Sequence, residues 1–475
     1  MSFAYSGFGH TESVPFGRKC APQRRKEHLP RRGRIYRGGD DRGASAYRRC
    51  GKLRLHTCKA GTAGPVSQVE ALEVRALVTG GAGFIGSHIA DALLSAGHQV
   101  RVLDSLDPQV HGGVDTAPSY LSTEVEFVRG DVRDADLLGH VLRDVSVVYH
   151  QAAAVGVAQS MYEVRRYVDA NCVGTANLLE VILSARTNID LLVVASSMSI
   201  YGEGEYACST CGPSYPELRR VNRLAHSDWE HTCPMCSRVL APRPTRESKP
   251  LRPRSPYAVS KRDQEELCLS VGEAYKLPTI ALRYFNVYGP RQALSNPYTG
   301  LAAIFSSRIL NGRSPVIFED GMQSRDFVHV SDVARANVLA LSAPNAVYHS
   351  INVGTGRRAT VRQVADVLAG VLDSKAEPTI SGRYRAGDIR HCIADVTRAR
   401  TLLGFTATVE LEQGFADLAS WLAGQQPDDR LEQAVRELEV RGLATAEAAD
   451  KTATARLQPS DVEFPARASG TGWAS

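Results

Sequence analysis

Arg75-Ala76-Leu77-Val78-Thr79-Gly80-Gly81-Ala82-Gly83-Phe84-Ile85-Gly86 is the stretch that decides the fold. A short β-rich run passes directly into a glycine-rich turn, and the turn opens onto an amphipathic stretch from Phe84 to Ala96, so the segment reads strand, loop, helix. Gly80, Gly83 and Gly86 keep side chains away from the first turn of that helix. There, at Phe84 and Ile85, unpaired N–H groups and the positive end of the dipole suit a pyrophosphate. A glycine-rich loop alone is also an ordinary tight turn. The context favours a dinucleotide site, because Asp104 ends the second predicted strand about 20 residues further on. A carboxylate there accepts hydrogen bonds from an adenosine ribose diol and repels a 2′-phosphate, which favours NAD over NADP.

Outward from this segment, short apolar runs alternate with helical stretches. Arg75–Thr79, Gln99–Leu103, Glu126–Arg129, Val145–Tyr149, Leu191–Ser196 and Thr279–Arg283 read as strands. Phe84–Ala96, Val168–Ala185 and Tyr257–Tyr275 read as helices. This is the α/β pattern of a Rossmann-type doubly wound parallel sheet. Asp131 and Val132, after the third strand, are placed against the adenine, with a helix cap as the other reading of Asp131. Residues 74–285 are expected to form the NAD-binding domain, with an insertion at 203–250, and 286–424 a smaller C-terminal substrate domain. Leu431–Leu443 suggests one further helix within a helix-and-tail segment, 425–475.

The chain has 475 residues, 43% of them hydrophobic and 23% charged, an ordinary globular composition. Its net charge of +5 is uneven: residues 1–73 hold 15 Lys and Arg against 6 Asp and Glu, so the remainder is mildly acidic. The basic runs Arg24-Arg25-Lys26 and Arg31-Arg32-Gly33-Arg34 lack interleaved aromatics and helical periodicity, so no nucleic-acid partner is expected. The segment 1–73 reads as a disordered extension, or as upstream sequence with Val74 marking the native start. N-terminal sequencing of protein from the native gene separates the two. No apolar run reaches the roughly 18 residues of a membrane span and no export signal is visible, so a cytoplasmic protein without a membrane partner is expected.

Ten cysteines without an export signal do not suggest a disulfide framework. Cys208-Ser209-Thr210-Cys211 and Cys233-Pro234-Met235-Cys236 form two CxxC knuckles 21 residues apart. Four thiolates so spaced suit a closed tetrahedral zinc site, a structural ribbon inserted between a strand and the next helix. His226 and His231 lie nearby and are read as loop decoration rather than ligands.

Tyr257-Ala258-Val259-Ser260-Lys261 puts a phenol and an ammonium one helical turn apart. A neighbouring lysine favours the tyrosinate, a base able to take a proton from a sugar hydroxyl. The spacing alone is common by chance. The order glycine loop, acid after the second strand, Ser196-Ser197-Met198-Ser199-Ile200-Tyr201-Gly202 at a strand end, then YxxxK, resembles the extended short-chain dehydrogenase/reductase family over residues 74–424. The resemblance implies that Ser197 shares the substrate hydroxyl with Tyr257 and that Lys261 and Tyr257 also reach the cofactor. It implies that Ala152, in His150-Gln151-Ala152-Ala153, runs along the cofactor and that Asn171 supports the active-site face. Arg283-Tyr284-Phe285-Asn286-Val287-Tyr288-Gly289-Pro290 and Ser324-Arg325-Asp326-Phe327-Val328-His329-Val330 are similar to stretches of nucleotide-sugar epimerases. There Asn286, Arg325 and, from Arg385-Ala386-Gly387-Asp388, Arg385 are implied on the substrate diphosphate, with Asp388 on the nucleoside ribose. A homodimer is usual in this family.

The 4,6-dehydratases of the family carry an Asp-Glu pair where this chain has Met198 and Ser199, so an elimination lacks its acid and base. A 4-epimerase needs neither. Leu103–Gly112, Ala154–Tyr162 and the double CxxC insertion resemble most closely the dTDP-L-rhamnose 4-epimerase group, which implies formation of dTDP-6-deoxy-L-talose through a 4-keto sugar. A UDP-hexose 4-epimerase is the alternative within the class, and a non-catalytic Rossmann and zinc-ribbon binding module the alternative outside it.

Overall fold

The computed structural model describes residues 73–184, 187–293, 300–385, 387–425 and 429–444. The expectations for the basic segment before residue 73 and for the tail beyond residue 444 lie outside the described residues. Seven parallel strands form the central sheet: β1 (Arg75–Thr79), β2 (Gln99–Asp104), β3 (Glu126–Arg129), β4 (Val147–His150), β5 (Leu191–Ser197), β6 (Thr279–Tyr284) and β7 (Ser350–Val353). Their order is β3-β2-β1-β4-β5-β6-β7. Leu77, Val78, Leu192, Val193, Ile280 and Ala281 are fully buried, as expected for strands covered on both faces. The order reverses direction between β1 and β4, whose carboxyl ends meet at Thr79 and His150. A crevice at such a switch point is where open α/β sheets take their ligands.

Helix α1 (Phe84–Ser95) buries Ile89, Ala90 and Leu93 on the sheet and gives way at Gly97, whose φ of +82° suits a residue without a Cβ. The helix expected over 168–185 begins as a π-wound segment, Val168–Val173, and continues as α2 (Gly174–Ser184). Helix α3 (Pro256–Tyr275) is capped by Ser255, whose hydroxyl accepts from Ala258 N.

The division expected at residue 285 is corrected in one respect. Ser350–Val353, assigned by sequence to the substrate segment, pairs with β6 in register Val353 to Tyr284 and completes the central sheet. Helix α4 (Val330–Leu339), also from that segment, contributes Val333, Ala334 and Ala336 to the core beneath α1. Another core gathers Tyr288 from a short strand, 286–288, with Phe305, Phe415 and Leu418 from the later helices. The predicted C-terminal helix is present over Leu431–Val440.

The insertion does not stand apart as a module. Its strands 205–208, 212–214 and 241–245 join 324–325, 359–360 and 391–394 in one six-stranded sheet. Residues 241–245 run parallel to 391–394 and antiparallel to 205–208. Among the described residues no helix is long and apolar enough to cross a membrane.

Candidate active site

The glycine loop is shaped by close backbone approach. Gly80 has φ +68°, donates its N–H to Leu103 O at 2.7 Å, and a Cβ on it would stand 2.8 Å from the Ala152 backbone. A Cβ on Gly86 would strike Gly80 O at 2.2 Å, so this glycine lets α1 close on the loop. Gly83, the N-cap, is different: a Cβ there would meet only Gly80 O, at 3.3 Å, and no side chain caps the helix. Phe84 and Ile85 therefore begin a helix whose N-terminal face is open to a phosphate. Asp104 closes the back of this cradle, with Oδ2 accepting from Ala82 N at 3.0 Å and Oδ1 from Leu106 N at 2.9 Å. Each oxygen keeps a lone pair for a further donor.

Asp131 is gripped by Arg133, which donates to both carboxylate oxygens at 2.9 and 2.7 Å and holds the acid below its ordinary range. It does not cap the following helix, whose N-cap is Asp134. Val132 is buried beside Gly174.

Ser197 ends β5, and its hydroxyl lies near enough to the Tyr257 phenol of α3 to favour the tyrosinate. Ser197 Oγ also accepts from Ser199 Oγ at 2.9 Å, while Met198 is buried. Burial raises the Tyr257 pKa above its ordinary value of 10.0, and the neighbouring Ser197 hydroxyl works against that rise. Lys261, one turn on, is 3% exposed, and its ammonium donates to Gln264 Oε1 at 2.7 Å. Burial lowers Lys261 to about 8. Gln264 then donates through Nε2 to Thr175 Oγ1 at 2.9 Å and to His150 Nε2 at 3.2 Å. His150 is fully buried between Thr79 and Thr175, and burial pushes it down to about 3, with Lys261 adding to the shift, so it stays neutral. Sequence reasoning passed over Gln264. Its spacing of three from Lys261 places it on the same helical face and was the available signal.

Asn171 sits in the π-wound segment, fully buried. Its Oδ1 accepts from Ala154 N at 2.7 Å, and Nδ2 donates to Ala154 O and to Ser260 Oγ. It thereby fastens the loop after β4, including Ala152, to α3. Behind β5, Glu265 accepts from Ser196 Oγ at 2.6 Å and from Arg283, whose guanidinium also reaches Tyr201 Oη at 2.7 Å.

Asn286, Arg325, Arg385 and Asp388 meet in a cleft with an open volume of about 890 Å³. Asn286 Oδ1 and Arg385 Nε are buried polar atoms without a hydrogen-bond partner among the described residues. Arg325 donates to the main-chain carbonyls of Ser324, Arg390 and Ile389. Arg385 lies 4.6 Å over the Phe318 ring. Neither arginine pairs with a carboxylate among the described residues, so the cleft offers uncompensated positive charge to an anion.

The sulfurs of Cys208, Cys211, Cys233 and Cys236 lie within 4.8 Å of one another. A tetrahedron with Zn–S of about 2.3 Å has edges of about 3.8 Å; Cys208 Sγ and Cys236 Sγ are 3.4 Å apart. Thr210 N–H points at Cys208 Sγ at 3.5 Å, a bond that suits a thiolate. His231 is turned away, its Nε2 lying 3.0 Å from Glu203, and His226 is bound to Asn222 O.

Phenol and ammonium one turn apart, beside a switch-point cradle for pyrophosphate, define a dinucleotide-dependent enzyme of the extended short-chain dehydrogenase class. Residues 76–217 and 232–354 match the NAD dependent epimerase/dehydratase family. The dTDP-L-rhamnose 4-epimerase of Burkholderia thailandensis is 33% identical over 349 residues, 73% of this chain and 94% of that protein. A putative UDP-glucose 4-epimerase of Methanocaldococcus jannaschii is also 33% identical, over 73% of this chain and 97% of its own. The crystal structure of a Thermotoga maritima UDP-glucose 4-epimerase with UDP-glucose superposes with a TM-score of 0.60 at 31% identity, covering 74% of this chain and 98% of that one. The chain belongs to the NAD dependent epimerase/dehydratase family. Residues 218–231, between the two CxxC knuckles, fall outside the family match.

Proposed function

We propose that the protein inverts C4 of a nucleotide sugar, converting dTDP-L-rhamnose to dTDP-6-deoxy-L-talose. The observation that carries the reading is the buried Tyr257 one helical turn from a buried Lys261 beside Ser197 at the end of β5, with Met198 and Ser199 where a dehydratase needs an acid and a base. NAD, when bound, supplies a reversible hydride acceptor. Its pyrophosphate is assigned to the face opened by Gly80, Gly83 and Gly86, along Phe84 and Ile85, and its adenosine ribose to Asp104. Asp131 and Val132 are assigned to the adenine side; the loop at Ala152, held by Asn171, borders the cofactor.

In this reading Tyr257, as tyrosinate, takes the proton from the 4-hydroxyl while Ser197 shares that oxygen, giving a 4-keto sugar. Lys261 favours the tyrosinate by its charge. Asn286, Arg325 and Arg385 hold the diphosphate, and Asp388 the nucleoside ribose. The sugar is gripped only at its far end, so it can turn its other face and accept the hydride back, with Tyr257 returning the proton to O4. The relatives named above act on dTDP- and UDP-sugars, so UDP-hexose is the alternative substrate. Incubation with dTDP-L-rhamnose, UDP-glucose and UDP-galactose, with C4 configuration followed by NMR, tests the reading. Turnover of the UDP-hexoses alone would replace the rhamnose assignment, and turnover of none would remove the epimerase mechanism.

The cysteine cluster is assigned to one structural zinc, supported by its four-sulfur donor set and spacing. A homodimer is supported by Val164, Val168, Val259 and Leu267, which remain 48, 41, 44 and 37% exposed on packed neighbouring helical segments.

A further inference from the structure

Behind the cleft lies a buried ion cluster that the proton and hydride steps do not use. Arg219, from the insertion, has a completely buried side chain. It donates to both Glu319 oxygens at 2.7 and 2.8 Å and to Asp388 O at 3.0 Å. Arg390 donates to Glu319 at 2.9 Å, to Asp320 at 2.7 and 2.8 Å, and to Glu230 of the insertion at 2.7 and 2.9 Å. Glu319 lines the cleft beside Arg325, Arg385 and Asp388.

Left alone, the Glu319 carboxylate would repel an anion in that cleft or draw Arg325 away from it. Bound by two guanidinium groups, it does neither. Arg325 meanwhile hangs on the carbonyls of Ile389 and Arg390, the same backbone that Arg219 and Arg390 pin. A buried ion network of this kind adds little net stability against an apolar replacement, while breaking it by removing one partner strands a charge.

We infer that Arg219 is a positioning residue for the substrate diphosphate: it neutralises Glu319 and fixes the Asp388 backbone, so the cysteine-bearing insertion sets affinity for the nucleoside diphosphate. Glu230 supports it by holding Arg390. The inference rests on the assignment of this cleft to a nucleotide sugar.

The test uses the full-length NAD-loaded enzyme and titration with dTDP and UDP. Arg219→Gln should raise the Kd for whichever diphosphate the parent binds by about tenfold, the usual size of coupling between linked sites, while kcat at saturation changes by less than about twofold. Arg219→Gln/Glu319→Gln should recover most of that affinity, because the carboxylate left with Arg390 as its one remaining guanidinium partner is gone. Thymidine or uridine affinity should move far less than diphosphate affinity. An unchanged Kd in folded Arg219→Gln, or a double variant no better than the single one, overturns the inference. If Arg219→Gln does not fold, Arg219→Lys with and without Glu319→Gln gives the same comparison. A parent that binds a nucleoside diphosphate but epimerises no sugar refutes the epimerase reading and leaves this inference standing. A parent that binds no nucleoside diphosphate refutes both.

Discussion

The ammonium of Lys261 donates a 2.7 Å hydrogen bond to the carboxamide oxygen of Gln264. Through its amide nitrogen Gln264 is tied in turn to Thr175 and His150, so the charge beside the phenol is held by groups from β4, α2 and α3. Replacing Gln264 by Leu removes an acceptor that favours the charged lysine, and the Lys261 pKa falls further below about 8. The alkaline limb of kcat/KM should then shift to lower pH. An unmoved limb in a folded variant would separate Lys261 from the pH profile.

Tyr257→Phe removes the proton acceptor and leaves the ring that packs edge-on against Tyr167 at 6.2 Å. Turnover should fall by roughly 10²–10⁴-fold, with NAD retained. A non-catalytic binding module would be indifferent, so NAD content and C4 inversion measured on one preparation distinguish the two.

His150 supplies a pH dependence of stability. Burial holds it at about 3 in the folded chain against an ordinary 6.5, so between those values the unfolded chain binds the extra proton. Stability from this group is present above about pH 6.5 and is lost on acidification at up to roughly 1.4 kcal/mol per pH unit. Denaturant unfolding of the NAD-free protein from pH 7 to 5, with the His150 ring followed by NMR, should show falling stability while the imidazole stays neutral. A ring that titrates near pH 6.5 in the folded protein contradicts the assignment.

Elemental analysis should find one zinc per chain, and chelation should lower the melting temperature. Cys233→Ser should abolish the metal, because a four-sulfur site loses its closed tetrahedron. A metal-free protein with the same melting curve as the chelated one would remove zinc from the insertion.

Leu267→Glu places a charge at an exposed apolar position of α3 without touching Tyr257 or Lys261. The expected result is a shift from dimer to monomer in analytical ultracentrifugation. A parent protein that is already monomeric at micromolar concentration ends the homodimer assignment.

What the sequence determined by itself was whatever depends on short spacing. The strand, turn and helix around Gly80, Gly83 and Gly86 follow from local periodicity, and the placing of Tyr257 and Lys261 on one helical face follows from 3.6 residues per turn. The four-cysteine cluster was legible in the same way, from two CxxC pairs. Tertiary structure alone decided three other matters. Ser350–Val353 became the seventh strand because Thr279–Tyr284 offered a free parallel edge, and a four-residue run does not say which edge it will join. Asp131 turned to Arg133 instead of capping a helix, a choice between two nearby donors that spacing leaves open. Arg219 found Glu319 a hundred positions away, and Glu230 found Arg390. No local period encodes such pairs; they form because burying a charge demands a partner, and the folded chain determines which partner is within reach.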